Sequence, residues 1–191
     1  EGNLNGVIIA SNMGFYNGMS NPTGLILNSD GSMYVTQRVA NNVIKLLQSG
    51  GKGVNVAGGT TSGNSDNLLN APISSFLDKS GNLYIADCGN NENKRKNLAI
   101  LKLNLLSAWK TDSILVEKIQ FSYADQKEVS PKKKELNYDC EAIYFEEGQI
   151  HLVTKSRQKP WEGMAYIYPL PTIMGKYIVE KEDSIFIGNR G

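Results

Sequence analysis

Two stretches, Asn28-Ser-Asp-Gly-Ser-Met-Tyr-Val-Thr36 and Asp78-Lys-Ser-Gly-Asn-Leu-Tyr-Ile-Ala86, carry the same pattern at a spacing of 50 residues. Gly31 falls on Gly81, Met33 on Leu83, Tyr34 on Tyr84 and Val35 on Ile85. The same spacing sets Pro22 on Pro72 and Asn41 on Asn91. A third copy reads Glu146-Glu-Gly-Gln-Ile-His-Leu-Val-Thr154, with Gly148 on Gly81 and Leu152 on Ile85. Self-similarity at such a period marks stacked supersecondary units, each unable to bury its apolar surface alone.

Within a copy, a strand (Thr23–Leu27, Glu141–Phe145) leads into a polar turn carrying glycine. Glycine takes φ > 0 at low cost, so the chain can fold back as a hairpin. The returning strand (Ser32–Thr36, Asn82–Ala86, Gln149–Thr154) is apolar at successive positions, the mark of a strand covered on both faces. Third strands are expected at Asn42–Leu47, Leu98–Leu103 and Met164–Tyr168. Fourth strands are expected at Gly53–Ala57, Leu115–Phe121 and Tyr177–Phe186. No segment keeps a helical period over three turns. Four short strands per unit of about 40–50 residues predict an all-β chain of β-propeller blades. The blades span approximately 21–57, 70–121 and 139–188, and Asn5–Ala10 resembles the outer strand Lys52–Ala57 that closes a blade. The whole of 1–191 is thus one propeller segment, half or a fragment of a six-bladed ring.

The 191 residues are 40% hydrophobic and 20% charged, the balance of a folded domain. Twenty basic and nineteen acidic residues leave a net charge of +1, which gives no general attraction to nucleic acid or acidic lipid. No apolar run nears the roughly 18 residues of a membrane helix. The stretch from Glu1 has no leader pattern, as expected of a mature chain or an excised segment. Cys88 and Cys140 are too few for a disulfide framework and too far apart for a CxxC motif, leaving a disulfide or two buried thiols open.

Residues 21–90 resemble NHL repeats, through Asn21-Pro-Thr-Gly-Leu, Ser29-Asp-Gly-Ser, Met33-Tyr-Val, Asn42-Val-Ile-Lys and the run from Ala57-Gly-Gly to Leu69-Asn-Ala-Pro72. Residues 83–188 resemble a propeller group common in secreted bacterial proteins. The shared marks are Tyr84-Ile-Ala-Asp-Cys-Gly-Asn-Asn91, Asn93-Lys-Arg-Lys-Asn-Leu98, Asp139-Cys-Glu-Ala-Ile143 and Val153-Thr-Lys155. The resemblance implies an extracellular location and a binding platform for protein. RNA-binding and metal-dependent lyase branches of NHL propellers also exist, and lactonase-like and phytase-like propellers hold a central calcium. The lyase branch binds metal through several histidines, whereas this chain has His151 alone.

First strands line a propeller's axis, so polar residues at their starts converge there. Asn21, Asn70 and Glu141, with Asp139 nearby, are the candidate oxygen donors for calcium, which takes six to eight. A different role for Asn21 and Asn70 is to cap turns before proline. Asp87 and Asn90 end one blade strand while Asp139 and Glu141 open the next blade. These four, with Lys155 or Arg157 beside them, form the candidate channel-mouth cluster, able to hold a metal, to work as acid and base, or to join two blades by hydrogen bonds. His151 aligns with Tyr34 and Tyr84 and is expected to pack. No Gly-x-Ser-x-Gly elbow presents a serine. The basic runs Lys94–Lys96 and Lys132–Lys134 lack the interleaved aromatics of an RNA surface and are expected to be solvated loops. Trp109 and Trp161 lie in longer connections and are candidate partner anchors. The expected function is a non-catalytic binding or structural module needing no cofactor, with a calcium-dependent hydrolase or lactonase as the alternative. Three blades cannot close a ring, so a protein partner or a second copy is expected on the open faces, built from Val43, Leu46, Ile167 and Ile185.

Overall fold

The computed structural model describes residues 19, 21–49, 53–59, 61–63, 65, 67–105, 115–129 and 136–188. Blade one is the meander β1 (Pro22–Leu27), β2 (Met33–Gln37), β3 (Asn42–Leu46) and β4 (Val54–Gly58). Blade two is β5 (Ser74–Leu77), β6 (Asn82–Asp87), β7 (Ala99–Asn104) and β8 (Val116–Tyr123), carrying β12 (Gly175–Val179) on its outer edge. Blade three contains β9 (Asp139–Glu146), β10 (Gln149–Lys155), β11 (Met164–Pro171) and β13 (Asp183–Phe186). The inner strand β5 touches both β1 and β9, so the three first strands stand side by side where a propeller has its axis. The expected strand Asn5–Ala10 lies outside the described residues.

The repeating glycines do what their positions require. Gly31 and Gly81 have φ of 76° and 77°, and their N–H groups donate to Asn28 O and Asp78 O at 3.0 and 3.1 Å. That is a tight turn closed by a left-handed residue, which glycine fills without strain. Blade three uses a shorter device: Glu147 and Gly148 both have positive φ between the paired residues Glu146 and Gln149. Two left-handed residues match the twist of a two-residue hairpin.

Alternation divides the middle blade between its neighbours. Leu83, Ile85, Leu101 and Leu103 pack with Tyr34 and Val43 of blade one. The intervening Tyr84, Ala86 and Ile100 pack with Ile150, Leu152 and Tyr168 of blade three. This period-two split is why the second strands read as apolar throughout. Two expectations change here. Val43 belongs to the seam between blades one and two, not to an open face, because the β2–β3 register points it toward Leu83 and Leu101. Met33 is half-buried, lying on the outer face of blade one beside Val35, Ile44 and Leu46. Of the four residues expected on the open faces only Ile185 is exposed, at 47%.

The expected single strand Tyr177–Phe186 is two strands. From β11 the chain crosses to blade two, runs parallel to β8 from Gly175 to Val179, and returns as β13 to pair with β11. The eight-residue β8 would otherwise expose an unpaired ladder. Tyr177 and Val179 turn into the core between blades two and three, which holds the crossover in place.

Each seam also has a polar clasp. Asn41, at φ 53°, accepts the N–H of Ala71 on its Oδ1 at 2.8 Å. Asn93, at φ 51°, accepts the N–H of Tyr138 at 2.9 Å in the same way. The counterpart of Asn41 is therefore Asn93 rather than Asn91, since blade two carries a longer connection before its third strand. Asparagine suits the site because it tolerates left-handed backbone and offers a side-chain carbonyl.

Leu83, fully buried, is expected to cost about 2–5 kcal/mol when replaced by alanine, read from urea unfolding. Asn93→Ala should lose about 1–3 kcal/mol by stranding the Tyr138 N–H, and the exposed Asn91→Ala should stay within about 0.5 kcal/mol. Equal effects from the two asparagines would refute the clasp.

Candidate functional site at the junction of blades two and three

The candidate cluster forms at the seam, on the end of the blades opposite the glycine turns. Asp139, with no measurable exposure, accepts the N–H of Asn90 on Oδ1 at 2.9 Å. Its Oδ2 accepts from Nε of Arg157, whose Nη2 donates to Glu141 Oε1 at 2.6 Å. A few residues away Asp87 receives Nη2 of Arg95 at 2.8 Å and the N–H of Asn70 at 3.2 Å. Asn90 links the halves, its Oδ1 accepting the N–H of Arg95 at 2.9 Å. Asp87, Asn90, Asp139 and Glu141 thus lie on one network.

Lys155 does not join them. Its ammonium stands over the ring of Trp161 at 5.7 Å, and Arg157, two residues on, supplies the charge. The planar guanidinium suits this role because it can bridge two carboxylates at once. Arg95 corrects the expectation for Lys94–Lys96. It is a hub rather than part of a solvated loop, donating also to the carbonyls of Asn70, Gly89 and Asp87. The signal available in the sequence was the company it keeps: Asn90 and Asn97 flank the arginine, and their side-chain carbonyls accept from its backbone N–H and its Nε. Lys132–Lys134 and Trp109 lie outside the described residues. Trp161 is occupied locally, its Nε1 donating to Gly188 O at 3.2 Å.

The carboxylates respond to this setting. Burial, and next the neighbouring Asp139, push Glu141 above its usual range, against the pull of Arg157. Burial also raises Asp87, with Arg95 opposing. A carboxyl raised in the folded state favours folding while protonated, and that contribution is lost as pH rises through its folded value. The Cys88 thiol is pushed well up by burial, and then by contact with Cys140. Both cysteines are free and buried.

The expected calcium donors each have a protein contact. The carbonyl of Asn21 accepts from Arg38 N–H, that of Asn70 faces Arg95, and Glu141 is held by Arg157. The Glu141 and Asp139 carboxylates both accept from Arg157. Among the described residues no three His, Cys, Asp or Glu side chains converge as metal ligands. His151 stands apart on the opposite face of blade three, stacked on Tyr144 at 4.7 Å.

No family model matches the chain, and no curated protein does. Among solved structures, a streptogramin B lyase is similar at 14% identity and a TM-score of 0.43, over 85% of this chain and 54% of that one. A virginiamycin B lyase from Staphylococcus aureus is similar at 12% and 0.39, over 80% and 53%. A protein of unknown function from Bacteroides caccae is similar at 15% and 0.42, over 83% and 48%. The chain spans about half the length of the structures it matches. The propeller assignment rests on strand order and blade stacking, not on these overlaps.

Arg157→Met is expected to destabilise by about 3–5 kcal/mol in urea, because it leaves buried Asp139 without its cation. Glu141→Gln keeps an acceptor for Arg157 and removes a titration, so its stability relative to the parent should improve as pH rises from 3 to 7. A relative stability that is flat or falls across that range would contradict the raised carboxyl.

Proposed function

We propose that this chain is a non-catalytic binding or structural module of a secreted, NHL-like β-propeller, whose ring is completed by more protein. One observation carries the reading. The acidic side chains gathered where a propeller would place chemistry are consumed by Arg95, Arg157 and backbone N–H groups. A general acid or base needs a proton free to move and access to substrate. Asp87 and Asp139 are buried and bound by arginine, and serve as mortar between two sheets. The outward faces support the partner half of the reading. Leu25 and Leu27 are 68% and 73% exposed on blade one, and Tyr144 and Ile185 are exposed on blade three. Apolar faces of stacked sheets are covered by further sheets, burying areas typical of stable interfaces.

Light scattering on the purified chain tests this. The expected mass exceeds the 21.0 kDa of one chain, as a second copy or copurifying protein covers the blades. A stable, folded monomer would refute completion of the ring. One tightly held calcium per chain, with hydrolysis that chelation abolishes, would instead favour the hydrolase reading.

A further inference from the structure

The face of blade three turned away from blade two carries a recess of about 470 Å³ at its turn end. Tyr144 and Glu146 of β9, Gln149 and His151 of β10, Ile167 of β11 and the pair Glu182–Asp183 form its walls, with Glu147 at the rim. None of the lining residues is a lysine or an arginine. His151 is only 7% exposed, yet neither ring nitrogen has a hydrogen-bond partner. Glu182 Oε2 lies 3.6 Å from Nδ1, beyond hydrogen-bond length. A buried imidazole whose nitrogens make no hydrogen bond is costly, and its setting calls for an explanation. The structure assigns this recess as a docking pocket for one cationic side chain, an arginine or lysine of an adjoining protein segment.

The chemistry of the walls selects that occupant. Four carboxylates, from Glu146, Glu147, Glu182 and Asp183, surround a cleft that offers no counter-charge of its own. Nδ1 of His151 faces Glu182 Oε2 at 3.6 Å, so a cation held by that carboxylate sits beside the imidazole. Tyr144 stacks parallel to His151, at an interplanar angle of 8°, and its partly exposed ring offers a π-face to a cation. The Tyr144 phenol is raised by burial and then by Glu146, Glu182 and Asp183, the same carboxylates that line the recess. A metal ion is the poorer occupant, because no third ligand converges with His151 and Glu182 among the described residues. The inference rests on reading the chain as a binding module and specifies what one of its open faces holds.

His151 is the only histidine, so its imidazole proton resonances report this pocket alone. The full chain is titrated with Nα-acetyl-arginine methylamide and, separately, with the citrulline analogue, which keeps the shape and loses the charge. The arginine compound is expected to shift the His151 signals saturably, the citrulline compound to leave them unmoved, and Glu182→Gln to weaken the response at least fivefold. Glu182 is exposed, and an unchanged melting curve verifies that the variant is folded; the exposed Glu147→Gln provides a second, milder reduction. No saturable shift with arginine, an equal shift with citrulline, or a shift with zinc alone would overturn the assignment. A chain that associates in light scattering but ignores the arginine probe would overturn the pocket and leave the module reading standing.

Discussion

A sheet with two apolar faces is stable only when something covers both, and that requirement organises this chain. Blade two meets it completely. Its alternate residues split between the Tyr34–Val43 side of blade one and the Ile150–Leu152 side of blade three. At about 25 cal/mol per Å² of apolar surface removed from water, such seams outweigh any single polar contact. The polar contacts settle a different matter, which is how the sheets are angled and where they meet. Asn41 and Asn93 pin each blade to the segment that opens the next one, and Arg95 and Arg157 tie the inner ends of blades two and three. Because a guanidinium fork accepts few geometries, it fixes orientation where packing alone would allow sliding.

The same network explains how the acidic residues that read as a candidate site come to be bound by arginine. Asp87, Asn90, Asp139 and Glu141 were legible as a cluster, since strand ends of adjacent blades must meet. Their occupation by arginine was not legible, because Arg95 sits in a run that composition alone assigns to solvent. Lys155 and Arg157 illustrate the difference two residues make. At the end of β10 one points to Trp161 and the other into the seam, a choice set by where the strand stops.

The blade hairpins and glycine turns could be read directly, because period-two burial and left-handed turns leave local marks. Register and exchange between blades leave none. Asn91 matches Asn41 by spacing, yet an insertion moves the clasp to Asn93. The run from Tyr177 to Phe186 has the composition of one strand, and the break at Glu180–Glu182 falls where β12 has run out of β8 to pair with. Local composition cannot express a pairing between segments some fifty residues apart.

The crossover strand also dictates an order of events. β12 belongs to blade two in space but follows blade three's first three strands in sequence. During synthesis, then, blade two has to wait with its β8 edge bare until β9, β10 and β11 have emerged. Pairings of long sequence separation form late, since the loop they close must first be ordered. The two blades consequently reach their finished form as one unit, and a chain stopped after Tyr123 would present a naked edge to its neighbours. What serves as a strap in the finished protein is, on the ribosome, the step that ends its exposure to aggregation.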